Sequence, residues 1–179
     1  MRLSELRSIW IIVKTLHLLR HAKSSWRDAS LADHDRELNE RGRRDAPRMG
    51  RALAKGLAPP QIYCSSALRA RQTLEGLIDG WPAVLSIEPV IDSELYTFEV
   101  SDLLVWLQEL SYGGQQCLLL GHNPALTELC NALVGRRAID NLPTAGYLKL
   151  TLACEQWMDV TEGIGTLETY LFPRDLIDA

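Results

Sequence analysis

Short apolar runs alternate with longer amphipathic ones along most of the chain. Residues 15–20, 61–65, 84–88, 116–120 and 147–152 are brief, apolar and rich in strand-compatible side chains, which predicts five strands. Between them apolar positions recur at helical spacing. In 43–55, Ala46, Met49 and Leu53 share one face; in 67–78, Ala70, Leu74 and Leu77 do the same. Segments 101–110 and 124–134 complete the predicted helices. Pro124 suits a first helical position, where its missing N–H is not needed. Pro47 is awkward inside a helix, so it either kinks the first helix or marks the start of its main part. The tail, 157–172, carries two further strand-like pieces around Gly163 and Gly165, suited to an antiparallel edge.

This alternation predicts an α/β fold: a three-layer sandwich with a mainly parallel central sheet and helices on both faces. The length, 179 residues, suits one domain, and no repeat or low-complexity linker divides it. A strand beginning at Val13 or Lys14 is a natural start, so residues 1–12 are expected to be an N-terminal extension and 13–179 the domain. With 46% hydrophobic residues the chain can build a sizeable core, and its formal charge of −4 does not suggest a nucleic-acid-binding surface. No apolar run approaches the roughly 20 residues of a membrane helix. The apolar stretch 9–13 lacks the length and cleavage site of a secretory signal, so a cytoplasmic protein is expected. Cys64, Cys117, Cys130 and Cys154 are scattered without a CxxC pair, which favours reduced, buried thiols over a zinc site or disulfide framework.

In α/β sheets, ligands gather beyond the carboxyl ends of the strands. Two predicted strands end in histidine. TLHLLRHAKSS delivers Arg20 and His21; CLLLGHNPAL delivers His122 after a turn at Gly121. On neighbouring strands these ends would lie about 5 Å apart. A third exit, IYCSSALRARQT, leads through two serines to Arg69 and Arg71, between which spacing does not choose. Such a cationic pocket fits a phosphoryl group. Arginine binds phosphate through a planar fork of donors, and a neutral imidazole is a nucleophile. The chain has no nucleotide-binding P-loop, G-x-S-x-G elbow, HExxH or EF-hand loop. Catalysis without a metal or other cofactor is therefore expected.

LLRHAKSSW, DHDRELNERGRRDA, CSSALRARQT, GHNP, PTAGYLKL and FPRDL, in that order, resemble the histidine phosphatase superfamily, the group that includes phosphoglycerate mutases. Its signature begins Arg-His-Gly. Here Ala22 replaces the glycine, as in the SixA-type phosphohistidine phosphatases. The resemblance implies the phosphoglycerate mutase-like fold, with His21 as the nucleophile that becomes phosphorylated. It also implies that Arg20 and Arg69 bind the phosphoryl oxygens, that His122 adds a fourth contact, and that Ser24 supplies a phosphate-binding hydroxyl. Larger members use a glutamate near 94 as general acid, whereas SixA-type enzymes work without a strong one. Glu94, Glu99 or neither is that acid here.

The short chain leaves little room for a cap over a small substrate. Protein phosphohistidine is therefore the expected substrate. A small phosphomonoester, such as a sugar or nucleotide phosphate, is the alternative, and a non-catalytic phosphate-binding module is a third reading. His17 shares a strand face with Leu19 and reads as structural, and His34 as a solvated loop residue. Trp81, Trp106 and Trp157 read as core or rim aromatics, while Trp26 is a candidate for the site entrance. The run 36–55, seven basic against three acidic side chains, reads as a solvated helix face.

Overall fold

The computed structural model describes residues 13–111 and 114–176; the expected extension, 1–12, lies outside them. Along the chain run β1 (Lys14–Arg20), α1 (Glu40–Ala54), β2 (Gln61–Ser65), α2 (Leu68–Gly80), β3 (Val90–Asp92), α3 (Val100–Glu109), β4 (Gln116–Gly121), α4 (Ala125–Val134), β5 (Tyr147–Leu152) and β6 (Gly165–Leu171). The strands form one sheet in the order β3-β2-β4-β1-β5-β6. β3, β2, β4 and β1 are parallel; β5 runs antiparallel to β1, and β6 antiparallel to β5.

Side-chain alternation in the two central strands builds both cores. Leu16 and Leu18 of β1 and Cys117 and Leu119 of β4 face α3 and α4, where they meet Leu103, Leu107, Leu126 and Leu129. Leu19 of β1 and Leu118 and Leu120 of β4 face α1 and α2, against Met49, Leu53, Leu74 and Leu77. The sheet is thus covered on both sides, the arrangement expected of a buried parallel sheet. His17 shares the second face: its Nδ1 lies 2.6 Å from the Tyr147 hydroxyl, and burial holds its pKa down at about 4. All four cysteines are free and buried.

α1 begins at Glu40, earlier than the pattern suggested, because Asn39 caps it by accepting from the Gly42 amide at 2.9 Å. The helix continues through Pro47, and Gly76 of α2 makes room for it. A Cβ at Gly76 would stand 2.8 Å from the Ala46 Cβ and 3.2 Å from the Pro47 Cδ. Pro124 precedes α4 as its cap rather than opening it.

The strand expected at 84–88 is a 3₁₀ helix, Pro82–Ile87. Pro82 presets its backbone and has no N–H to offer a ladder. Val84 turns inward while Leu85 points to solvent, and Glu88, at φ 47°, ends the helix. The edge strand follows as β3, pairing Tyr63 with Val90. The two tail pieces resolve into one strand, β6, entered through a turn at Gly163 with φ 79°.

Candidate active site

β1 and β4 pair in parallel with Arg20 opposite Gly121, so both strands end at the same level. The His21 amide donates to the Gly121 carbonyl at 3.0 Å. This brings the His21 and His122 rings to 5.0 Å between centroids, across 101 positions of sequence. Beyond the strand ends, the Ala145 amide donates to the carbonyls of both Arg20 and His21 at 3.1 Å, holding the exit in place. Ala145 adopts φ 55°, a left-handed conformation costly for a residue with a side chain.

His21 is buried. Its Nδ1 donates to the Ala22 carbonyl at 2.7 Å, leaving Nε2 as the unprotonated nitrogen. Nε2 accepts from Arg69 Nε at 3.3 Å. Burial, joined by the charges of Arg69, Arg20 and Arg36, holds the His21 pKa down at about 3. The ring is therefore neutral at physiological pH.

Arg69 comes from the first turn of α2 and is 2% exposed. Geometry thus chooses it over Arg71. Its Nη1 donates to the Asp33 carbonyl and its Nη2 to the Asp33 carboxylate at 2.8 Å. Arg20 Nη1 donates to the Leu142 carbonyl at 2.8 Å, while its buried Nε has no protein partner. His122 is 1% exposed; its Nε2 lies 2.8 Å from Ser65 Oγ at the end of β2. Its buried Nδ1 has no protein partner. Burial, then the neighbouring His21 and arginines, bring its pKa down to about 2.

Arg20, His21, Arg69 and His122 therefore converge as expected. Ser24 is buried nearby, but its hydroxyl accepts from Arg36 Nη2 at 2.7 Å, so its link to the pocket runs through Arg36. Glu94 is exposed and lines a groove with Asp102, Val105, Trp106 and Glu109, and hydrogen-bonds through its amide to Asp92. Glu99 is also exposed, at the start of α3.

Sequence reasoning missed Arg36, Asp33, Tyr96, Ser65 and Thr73. Arg36 is only 6% exposed and is held by the Ser25 carbonyl, Ser24 and Asp33. Its guanidinium lies 3.3 Å from the ring centroid of Trp26, which is 74% exposed. Asp33 accepts from Arg36, Arg69 and the Tyr96 hydroxyl, each at 2.8 Å. Partial burial alone would raise its pKa; those hydrogen bonds outweigh it and hold the carboxyl at about 2. His34 is no free loop residue: its Nε2 lies 2.9 Å from Ser66 Oγ and its ring meets Tyr96 edge-on at 4.9 Å. A usable signal was present in Asp33-x-x-Arg36, an acid and a base three residues apart.

Among the described residues, no group of three His, Cys, Asp or Glu side chains is placed to hold a metal ion. No helix there is long and apolar enough to cross a membrane.

A three-layer α/β sandwich with two histidines and two arginines at the carboxyl ends of its parallel strands defines a phosphoryl-handling class of enzyme. The chain belongs to the histidine phosphatase superfamily: the model of its branch 1 matches residues 16–102. It is 32% identical over 166 residues to an uncharacterized protein of Mycobacterium tuberculosis, covering 87% of this chain and all of the relative. The structure of a candidate phosphohistidine phosphatase SixA from Agrobacterium tumefaciens superposes with a TM-score of 0.72 at 27% identity, over 89% of this chain and 99% of that one. A protein histidine phosphatase SixA complexed with tungstate gives 0.75 at 24% identity, over 91% and 99%. The chain is a phosphatase of this superfamily, on its SixA-type side.

Proposed function

We propose that the protein removes phosphoryl groups from protein phosphohistidine through a covalent intermediate on His21. The observation that carries this reading is the His21 ring itself. Its Nδ1 proton is committed to the Ala22 carbonyl, so the lone pair of Nε2 faces the arginine that would hold the phosphoryl group. In the first step Nε2 attacks phosphorus, a new N–P bond forms and the bond to the leaving group breaks. In the second, water attacks phospho-His21, the N–P bond breaks and inorganic phosphate leaves. Arg20 and Arg69 neutralise the phosphoryl oxygens.

His122 supplies a further donor. Ser65 Oγ accepts weakly from the Ala67 amide at 3.4 Å, and His122 Nε2 at 2.8 Å is the acceptor within reach of its own proton, with Ser65 taken as the donor there. The ring proton of neutral His122 then sits on Nδ1, the nitrogen without a protein partner. A phosphoryl oxygen would be that partner.

Two features support phosphohistidine over an alkyl phosphate. An imidazole leaves more easily than an alkoxide, and among the described residues no carboxylate is hydrogen-bonded to His21, whose ring partners are Ala22 and Arg69. Asp33 reaches it only through Arg69 and is held ionised; Glu94 lines another groove. The rim also presents Trp26 and Phe98 to solvent, an aromatic surface suited to a protein. The similar SixA structures, one a candidate phosphohistidine phosphatase and the other a protein histidine phosphatase, agree with this reading.

A panel of a phosphohistidine protein, phosphoserine peptides, and sugar and nucleotide phosphates tests the reading. The largest kcat/KM is expected for the phosphohistidine protein. A larger value for a small phosphomonoester would overturn the substrate assignment.

A further inference from the structure

Asp33 presents an oddity at a site built for anions. Its carboxylate already occupies arginine donors that a phosphoryl group could use. Arg69 offers five N–H groups; both Nη atoms are turned to Asp33, one to its backbone carbonyl and one to Oδ2. Arg36, whose charge also acts on His21, gives Nη1 to Oδ1 at 2.8 Å. Tyr96 adds its hydroxyl to Oδ2 at 2.8 Å. Arg69 Nε rests on the lone pair of His21 Nε2 at 3.3 Å, which leaves one N–H on each Nη uncommitted. In the free protein, one N–H on each arm of the Arg69 fork and the lone pair of the nucleophile are thus engaged by the protein's own groups.

The carboxylate also has a path into solvent. Asp33 lies in the short 3₁₀ turn Asp33–Asp35, with its side chain 43% exposed, unlike the arginines it holds. Displacement would not release Arg69. That side chain is 3% exposed, keeps the Asp33 carbonyl as an anchor, and its backbone carbonyl is held by Thr73. The carboxylate can leave the fork and enter water while the fork stays in place.

We propose that Asp33 is an internal competitor of phosphate: its carboxylate fills the Arg36–Arg69 donors in the free enzyme and is driven off Arg69 when a phosphoryl group binds. The inference rests on the reading of this pocket as a phosphoryl site. It gives Asp33 a role in product release. Re-forming its bonds to Arg69 offsets part of the attraction that would otherwise keep inorganic phosphate in a pocket with three arginines and no metal-like carboxylate cluster. Asp33 is then a positioning residue that sets affinity without touching the reacting atoms.

The test is the dissociation constant of inorganic phosphate, measured by calorimetry and as product inhibition. Asp33→Asn keeps the shape but weakens the hold on the arginines. A hydrogen bond between charged groups contributes enough that phosphate should bind this variant on the order of tenfold more tightly than wild type. Tyr96→Phe removes one of the three donors holding Asp33 and should tighten binding in the same direction by a few-fold. A merely structural role predicts the opposite sign, because a loosened Arg69 binds phosphate more weakly. Equal or weaker binding in Asp33→Asn would overturn the proposal; if that variant does not fold, equal or weaker binding in Tyr96→Phe would do so. Wild-type protein that binds no phosphate would instead overturn the reading of the pocket.

Discussion

The Ala22 amide donates to Thr73 Oγ1 at 2.9 Å, and the same hydroxyl donates to the Arg69 carbonyl at 2.6 Å. One buried threonine therefore ties the exit of the catalytic strand to the first turn of α2. It fixes the distance between the imidazole of His21 and the guanidinium of Arg69 through their own backbones. A parallel device holds Arg20: Thr127 Oγ1 accepts from the Leu142 amide at 3.0 Å, and the Leu142 carbonyl accepts from Arg20.

Replacing Thr73 by valine keeps the shape and removes both bonds, stranding the Ala22 amide. The expected cost is ~1–3 kcal/mol of stability. The expected loss in kcat is on the order of tenfold or more, because a small misplacement of reacting groups is costly. Urea unfolding and steady-state kinetics on the one variant check both. Full kcat with reduced stability would mean that the clamp does not position Arg69.

Three buried histidines predict a steep dependence of stability on pH. His17, His21 and His122 titrate in the folded protein at about 4, 3 and 2, against an ordinary value of 6.5. Below 6.5 the unfolded chain binds protons that the folded chain refuses. Stability is then full above pH 6.5 and falls as pH drops toward the folded values. Each ring contributes a slope of up to ~1.4 kcal/mol per pH unit. Urea titrations from pH 7 to 5 should show the slope, and His21→Gln should reduce it by one proton. A flat profile would contradict the burial of neutral rings.

Trp26 is expected to contact the substrate protein. Trp26→Ala should raise KM for a phosphohistidine protein about tenfold, the scale of an interface aromatic. It should act much less on a small phosphoramidate. Equal effects on both substrates would place the role of Trp26 in holding Arg36 instead.

Glu94→Gln should leave turnover within about twofold for every substrate, because Glu94 faces the groove beside α3. A loss approaching the 10²–10⁴-fold of a missing general acid would return Glu94 to the catalytic group.

Much of the scaffold was legible in local pattern. β1, β2, β4 and β5 are short apolar runs, and their exits carry Arg20, His21 and His122 in plain view. Parallel register does the rest, bringing His21 beside His122. The false strand at 84–88 shows the limit: an apolar run beside Pro82 reads alike as an edge strand or a 3₁₀ helix until the backbone donors are counted. Asp33 and Arg36 were hidden for another reason. Both sit in a polar stretch where charge normally means solvent, and only the packing of Arg36 against Ser24, Ser25 and Trp26 reveals its burial. Ser65 and Thr73 are ordinary polar residues whose importance comes from the neighbours that tertiary structure supplies.

The central claim is the phosphorylation of His21 Nε2. Rapid-quench labelling with a phosphohistidine substrate, followed by peptide mapping, measures it directly. The account predicts an acid-labile phosphoryl group on His21 that forms before phosphate is released, and that is absent from His21→Ala together with turnover. Turnover with no labelled histidine, or with the label on His122, would contradict it.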